Sequence, residues 1–252
     1  MKKKNKKVNA GILIIGNEIL SGRTQDRNTA FISNWLNTKC GISVNEVRVI
    51  PDLEGIIVKN ILEFSKKFNY VFTTGGIGPT HDDITAKSIA KAFKLQYGFH
   101  KEAYKILENY YKPGEFTEGR QKMAHMPMKA NLILNPSSGA PGFYIENVFC
   151  LPGVPSILKS MLGDINNKLI GGEPILTNTV SLRTVESEIA ENLSNVQDNF
   201  NDIDIGSYPF FKAGKLGVSI VLRGTDQVKL NNCKSEIIAF VKEKNIEIVD
   251  RD

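Results

Sequence analysis

The chain contains, at residues 73–83, the sequence Thr73-Thr74-Gly75-Gly76-Ile77-Gly78-Pro79-Thr80-His81-Asp82-Asp83. This loop follows the apolar run Tyr70–Thr74, which is typical of a buried strand, and precedes a helical pattern over Thr85–Phe93. Three glycines within four residues allow the backbone to turn sharply and to approach a ligand without Cβ clashes. Such a connection is a common anion site in α/β proteins, because free N–H groups and the helix dipole face the anion.

Two adjacent carboxylates, Asp82 and Asp83, close this glycine loop. They are unexpected in a loop that binds an anion alone. They fit a divalent cation that bridges them to phosphates, since Mg²⁺ and Mn²⁺ prefer hard oxygen ligands. The alternative is that either aspartate only caps the helix that begins near Ile84.

The segments around this loop alternate between strand and helix patterns. Strands are predicted at Val8–Ile15, Ile42–Ile50 and Tyr70–Thr74, and helices at Asn28–Lys39, Leu53–Phe68 and Thr85–Phe93. Alternation of this kind is typical of parallel strands joined by right-handed helical crossovers. The sequence therefore predicts a three-layer α/β domain with a mostly parallel sheet.

The following residues predict the end of this domain and the start of a smaller one. Residues His100–Met126 have a helical pattern that breaks at Pro113-Gly114. Two strands and a closing helix are then expected, at Leu132–Leu134, Gly142–Cys150 and Val154–Leu169. Because Gly171-Gly172 ends this pattern, we predict a first domain at 8–171 and a second at 172–252.

The second domain has the order strand, helix, strand, strand, helix, with a possible last strand. This order is typical of a small α+β unit of ferredoxin-like or KH-like type. The predicted elements are Ile175–Leu182, Glu186–Phe200, Ile203–Phe211, Leu216–Arg223, Gln227–Lys244 and Ile246–Val249.

The formal net charge of +5 over 252 residues comes from one end of the chain. The five lysines of residues 1–7 supply this charge, and the rest of the chain has equal numbers of basic and acidic side chains, 27 of each. We interpret residues 1–7 as a disordered basic tail, and the balanced body gives no reason to infer nucleic-acid binding. The apolar stretch Ala10–Ile15 is too short to span a membrane. Three widely spaced cysteines predict a reducing, cytoplasmic location without a disulfide framework or a zinc ribbon.

Three further loops carry candidate ligand residues. Gly16–Gly22 follows the first strand and is followed by Asp26 and Asn28, and taken alone it is a connector in which Asp26 or Asn28 caps the next helix. Asn135–Gly142 has the composition of a turn. Leu151–Ser156 repeats the arrangement of the first loop, with a strand end, a glycine and a helix start.

As a set, these loops resemble those of the molybdopterin-binding fold of MoaB/Mog type, in the version found in the N-terminal part of the CinA family (competence/damage-inducible protein A). The family pattern of a glycine-acid loop, T-G-G-x-G-P-T-x-D-D, N-P-x-x-x-A-P-G-F and L-P-G-V-P-S is seen at Gly16–Gly22, Thr74–Asp83, Asn135–Phe143 and Leu151–Ser156. The resemblance implies a small-molecule pocket for a nucleotide or pterin, and a homo-oligomer, a dimer or trimer. The ligand-binding residues it implies are Gly16, Glu18, Gly22, Asp26, Asn28, Asp52, Thr74, Gly75, Gly76, Gly78, Pro79, Thr80, Asn135, Ala140, Pro141, Gly142, Pro152, Gly153, Pro155 and Ser156.

CinA-type domains are associated with metal-dependent cleavage of a pyrophosphate, as in ADP-ribose. The resemblance implies that Asp82 and Asp83 are the catalytic and metal-binding residues, with Mg²⁺, Mn²⁺ or Co²⁺ as the metal. Asp82 favours this activity, because Mog-type proteins usually have a non-acidic residue there. The alternatives are a protein that binds or adenylates molybdopterin and a binding module without turnover. Asp52 matches an acidic pocket position, although Pro-Asp before a helix is more often a cap.

The second domain resembles the KH-like domain of CinA proteins, but it lacks a clear basic GxxG loop, so RNA binding is not inferred. Longer family members continue into an amidohydrolase domain, which is missing from this sequence, so deamidase activity is not expected. Two departures from the family pattern concern the ligand more than the fold. Ser138 stands where glycine is frequent, and Ile157-Leu158 stands where Glu-Met is frequent.

Overall fold

The computed structural model describes residues 8–212 and 214–249. The chain divides into two units, Met1–Gly172 and Glu173–Asp252, each with its own apolar core. The predicted basic tail, residues 1–7, lies outside the described residues.

The first unit alternates strands and helices over most of its length. Its strands are β1 Asn9–Ile15, β2 Ser43–Ile50, β3 Tyr70–Thr74, β4 Tyr97–Phe99, β5 His125–Pro127, β6 Asn131–Ile133, β7 Gly142–Ile145 and β8 Val148–Leu151. Its α-helices are α1 Asn17–Leu20, α2 Asn28–Trp35, α3 Glu54–Lys67, α4 Thr85–Ala92, α5 Lys101–Tyr110, α6 Glu118–Gln121 and α7 Pro155–Ile165.

Six strands form the central sheet in the order β2-β1-β3-β8-β7-β6. Strands β2, β1, β3 and β8 run parallel to one another, and β7 runs antiparallel to both of its neighbours, β8 and β6. Strand β1 lies between β2 and β3, and Ile12 of β1 is in register with Val47 on one side and Phe72 on the other. Since the chain goes from β1 to one side and then to the other, a topological switch point lies between β1 and β3.

Alternate residues of each strand are buried on opposite faces of the sheet, because successive side chains point to opposite faces. Ile12 and Ile14 of β1 belong to a core that includes residues of α2 and α7. Leu13 and Ile15 belong to a second core, which includes residues of α3, α4 and α5. The predicted three-layer α/β fold with a mostly parallel sheet is confirmed.

The prediction of one strand over Gly142–Cys150 is wrong. The chain reverses at Glu146, which has a φ of 50°, and β7 and β8 pair as an antiparallel hairpin. This reversal brings β8 next to β3, with Phe72 in register with Phe149. Both arms are apolar because both are buried between the layers, so the hydrophobic pattern does not show the turn.

Two predicted helices also need correction. The helix predicted at Asn28–Lys39 is α-helical only to Trp35 and continues as a short π-helix over Leu36–Cys40. Gly41, with a φ of 62°, ends this π-helix. The segment His100–Met126 is mostly helical and breaks around Pro113-Gly114, as predicted, but its last two residues are not helical. It contains α5, the short α6 and a 3₁₀ turn, and its last residues enter strand β5, which pairs with β4.

The second unit is a three-stranded antiparallel sheet with two helices. Its elements are β9 Leu176–Leu182, α8 Glu186–Asn199, β10 Asp204–Lys212, β11 Lys215–Gly224 and α9 Gln227–Glu243, and the sheet order is β10-β11-β9. The predicted α+β organisation is confirmed. The possible strand Ile246–Val249 is reduced to an isolated bridge between Ile248 and Leu182.

Within 8–212 and 214–249, no helix is both long and apolar enough to cross a membrane. The cysteines Cys40, Cys150 and Cys233 are all free and buried. Burial raises the pKa of their thiols, to about 11 for Cys40 and Cys233 and to about 12 for Cys150.

Candidate ligand-binding cleft

A cleft with about 350 Å³ of space, part of it open to solvent, lies at the carboxyl ends of β1 and β3. This is the switch point of the sheet, where open α/β folds bind their ligands. Of the predicted ligand residues, those that line the cleft are Glu18, Asp26, Asn28, Thr74, Gly75, Gly153 and Pro155.

The glycine loop after β3 packs directly on the end of β1. Gly75 has a φ of +98°, and a Cβ there would lie 2.1 Å from the carbonyl oxygen of Ile15. Gly76 has a φ of +67°, and a Cβ there would lie 2.2 Å from Oγ1 of Thr85. Only glycine satisfies both the backbone angle and the space at these positions. The backbone of this loop therefore forms part of the cleft wall.

Asn28 joins three loops at the bottom of the cleft. It is the first residue of α2 and is only 4% exposed. Its Nδ2 donates to Oγ1 of Thr74 at 3.3 Å and to the carbonyl of Gly153 at 2.8 Å. Since the Gly153 carbonyl can only accept, this contact fixes which amide atom is the nitrogen. The Oδ1 of Asn28 is buried and has no hydrogen-bond partner among residues 8–212 and 214–249.

Two predicted pocket acids accept from N–H groups at the start of a helix, but Asp52 does not cap the helix that follows it, since α3 begins at Glu54 without a side-chain cap. Oδ1 of Asp26 accepts from the backbone N–H groups of Asn28 at 2.9 Å and Thr29 at 3.3 Å, so it caps α2. Oδ2 of Asp52 accepts from the N–H of Asn17 at 2.8 Å and thereby holds the start of α1. The capping alternative applies to Asp26, which also lines the cleft, and not to Asn28.

Asp82 and Asp83 follow the glycine loop in the chain and are not among the residues that line the cleft. Oδ2 of Asp83 accepts from the N–H of Thr80 at 2.8 Å and from the Thr80 hydroxyl. Helix α4 begins at Thr85 without a side-chain cap, so the alternative that Asp82 or Asp83 caps it is wrong.

Lys122 contacts the same loop through a backbone carbonyl, not through either carboxylate. The amino group of Lys122 donates to the carbonyl of Thr80. The pKa of Asp82 lies below its ordinary value because the Thr80 hydroxyl, whose single hydrogen is shared between the Asp82 and Asp83 carboxylates, and the Asp82 backbone favour the ionised form, with smaller contributions from the charges of His81 and Lys122. Asp82 is exposed and ionised at neutral pH, as a metal ligand needs to be.

Asn135 organises the loop between β6 and β7. Its Oδ1 accepts from the N–H groups of Ser137 at 3.0 Å and Ser138 at 3.1 Å, and its Nδ2 donates to the carbonyl of Ala140 at 2.8 Å. This loop does not line the cleft. The other predicted ligand residues outside the cleft lining are Gly16, Gly22, Asp52, Gly76, Gly78, Pro79, Thr80, Ala140, Pro141, Gly142, Pro152 and Ser156.

The sequence did not single out several residues that line the cleft, namely Ile14, Ile15, Ile19, Thr24, Gln25 and Arg27. Ile14 and Ile15 could have been expected in the cleft from the switch point, because residues at the end of a central strand line the crevice there. Thr24, Gln25 and Arg27 lie between Gly22 and Asn28, two residues that were singled out, so their position was a usable signal.

Comparisons with known proteins agree with this geometry. The family described as "Probable molybdopterin binding domain" matches residues 11–171, and the family described as "FAD synthase, middle domain" matches residues 174–250. A protein of Archaeoglobus fulgidus is 34% identical over 218 residues, 86% of this chain and 92% of the relative. A protein of Saccharolobus islandicus is 32% identical over 253 residues, 94% of this chain and 95% of the relative.

One solved structure carries the comparison further. It is "the protein CinA with unknown function from Thermoplasma acidophilum", at 32% identity and a TM-score of 0.60, covering 64% of this chain and 98% of that chain. The chain belongs to the CinA-like molybdopterin-binding-domain family. In this CinA-like chain the cleft lies entirely within residues 14–155, inside the span that the molybdopterin-binding family matches.

Proposed function

We propose that this CinA-like protein is a divalent-metal-dependent nucleotide pyrophosphatase with an ADP-ribose-type substrate. One observation carries the proposal. The end of β3 and the loop that follows it supply Thr74 and Gly75, which line the cleft, and then the exposed Asp82 and the half-buried Asp83. A ligand seated in the cleft can therefore extend its diphosphate along the loop backbone toward the two carboxylates.

The carboxylates fit a metal only together with substrate oxygens. The described part of the chain has no group of three or more His, Cys, Asp or Glu side chains that could hold a metal ion. Asp83 commits Oδ2 to Thr80, which leaves Oδ1 and the carboxylate of Asp82 for a cation. This donor set suits Mg²⁺, Mn²⁺ or Co²⁺, since Mg²⁺ is usually bound by one or two carboxylates, waters and substrate phosphates.

In this proposal the glycine loop binds the diphosphate, and the two aspartates bind the metal. The N–H of Gly75 already donates to the carbonyl of Leu151 at 3.1 Å, so Gly76 and Gly78 would be the glycines that donate to the diphosphate. The positive φ angles of Gly75 and Gly76 allow phosphates to approach the main chain closely. Asp82 and Asp83 would hold the metal, which when bound supplies Lewis-acid stabilisation and a more acidic water. Lys122 holds the loop through Thr80 and so fixes where the carboxylates stand.

The test is incubation of the purified protein with ADP-ribose and Mg²⁺, Mn²⁺ or Co²⁺, with AMP measured as the product. We expect AMP to form with at least one metal and to disappear with excess EDTA. Folded protein that forms no AMP with any of the three metals rejects the proposal.

A pterin ligand is the second candidate, because the two carboxylates lie outside the cleft lining. That separation favours a protein that binds or adenylates molybdopterin, or a binding module without turnover. Adenylation predicts ATP consumption that depends on the pterin. A binding module predicts thermal stabilisation by nucleotide or pterin without any product.

A further inference from the structure

We propose that Asn28 is a specificity-determining residue of the cleft, and that its Oδ1 accepts a hydrogen bond from a ring-bound amino group of the ligand. The inference rests on the proposed function in that a nucleotide or pterin occupies the cleft. It is independent of whether the protein cleaves that ligand.

The first argument is the state of the Asn28 amide. Both hydrogens of Nδ2 are used, on Thr74 and on Gly153, so this nitrogen has no donor left for a ligand. Oδ1 is a buried acceptor to which no group in the described part of the chain donates. A buried acceptor that the protein leaves unpaired lowers stability unless something donates to it. The missing partner is therefore a donor.

The second argument concerns the surroundings of this oxygen. The end of the cleft near Asn28 is lined by Ile14, Ile15 and Thr74, which suits a flat, mostly apolar ring with one donor better than a phosphate. Asp26 is a second acceptor in the cleft lining: its Oδ1 accepts from the backbone of α2, and its Oδ2 is 3.4 Å from the N–H of Thr29, so only the Asn28→Leu comparison assigns the donor to Asn28. Arg27 is exposed, so a cation is available at the outer side of the cleft for the phosphate end of the ligand.

The third argument is the access to the oxygen. Oδ1 is closed to solvent in this structure, so a donor reaches it only if an adjacent part of the cleft wall moves. The exposed segment Ser21–Gln25 forms part of that wall through Thr24 and Gln25, and it contains Gly22 with a φ of +73°. An amino group that pairs with Oδ1 would be shielded from water, which strengthens its discrimination against analogues without the donor.

Adenine and pterin rings share this chemistry, since both carry an amino group on an aromatic ring. The experiment therefore uses two pairs of probes, each with and without that group. They are AMP against purine riboside 5′-monophosphate, and pterin against its 2-desamino counterpart. Binding to the full chain is measured by calorimetry for the wild type, Asn28→Leu and Thr74→Val.

We expect the wild type to bind the amino-bearing member of one pair at least tenfold more tightly. Asn28→Leu should reduce this ratio to about one. Thr74→Val removes one of the same inter-loop hydrogen bonds but leaves Oδ1 in place, so it should keep the ratio. The pair that shows discrimination identifies the ring as purine or pterin.

The inference is wrong if the wild type binds both members of each pair equally, or if Asn28→Leu folds and keeps the ratio. Equal binding by the wild type rejects the inference even if Asn28→Leu does not fold. Equal binding with continued AMP formation from ADP-ribose rejects the role of Asn28 and leaves the pyrophosphatase proposal standing. Absence of binding to all four probes rejects the role of Asn28, whereas the pyrophosphatase proposal is rejected only if no AMP forms from ADP-ribose.

Discussion

Gly75 packs against the last residue of β1, so that a Cβ at position 75 would lie 2.1 Å from the carbonyl oxygen of Ile15. The contact is between two main chains, and neither can rotate away as a side chain would. It ties the glycine loop to the central strand at the switch point of the sheet. The position of the loop backbone, and with it one wall of the cleft, depends on this close approach.

Gly75→Ala should therefore destabilise the first unit strongly and weaken ligand binding. The matched control is Gly22→Ala, because Gly22 also has a positive φ, +73°, but a Cβ there would meet nothing within 4 Å. The control should cost only the backbone strain of about 1–2 kcal/mol. The free energy of unfolding, measured with urea for both variants, should show a clearly larger loss for Gly75→Ala. Equal losses would contradict the role of the Ile15 contact.

The glycine loop could be predicted from the sequence, whereas the different roles of Asp26 and Asn28 could not. Three glycines between a buried strand and a helix indicate a close backbone approach whatever the tertiary partners are. By contrast, Asp26 and Asn28 are both ordinary capping residues by type. Their different roles depend on β1, β3 and β8 being neighbours, because only then do Thr74 and Gly153 come within reach of Asn28.

The hairpin of β7 and β8 could not be predicted from the hydrophobic pattern. The run Gly142–Cys150 is apolar on both sides of Glu146, and Glu146-Asn147 is not a strong turn pair by composition alone. The parallel part of the sheet was predicted because each of its strands is separated from the next by a helix. The antiparallel edge lacks such a separator, so its turn was missed.

Asp26 and Asp226 each accept from two N–H groups at the start of a helix, Asp226 at the N-cap position of α9 and Asp26 one residue before that of α2. Asp26 accepts from the N–H groups of Asn28 and Thr29, and Asp226 accepts from those of Val228 and Lys229. Replacement of either by alanine should cost about 1 kcal/mol of stability in its own unit. Only Asp26→Ala should also weaken the binding of AMP, because only that cap holds Asn28 and lines the cleft. The measurements are thermal unfolding and calorimetric titration. A loss of binding in Asp226→Ala as large as that in Asp26→Ala would show that the effect is not local.

Asp83→Asn tests the proposed metal site with little change in shape. An asparagine oxygen can still accept from the Thr80 N–H, so the loop should keep its form, but the negative charge is lost. If the protein is the proposed pyrophosphatase, AMP formation should fall by about a hundredfold or more, since the site would lose one of its two charged metal ligands. The unfolding temperature should change little. Unchanged AMP formation would place the metal elsewhere.

Glu102→Gln serves as the control for the charge change. Glu102 is an exposed residue of α5, away from the cleft lining, so its neutralisation should leave AMP formation unchanged. A reduced rate in both variants would indicate a general effect of net charge on substrate binding rather than a metal ligand.

The three buried thiols give a pH dependence of stability with a definite sign. Burial raises the pKa of Cys233 to about 11 from the ordinary 9.0, and it raises those of Cys40 and Cys150 as well. Between pH 9 and 11 the unfolded chain releases thiol protons that the folded chain keeps, so the free energy of unfolding should fall as pH rises, with no contribution from the thiols below about pH 8. Urea unfolding at pH 8, 9 and 10 should show this fall, and Cys233→Ala should show less of it than the wild type. The native protein at pH 8 should react with a thiol reagent such as DTNB only slowly, and all three cysteines should react in denaturant; rapid labelling of the native protein would contradict the burial of the thiols.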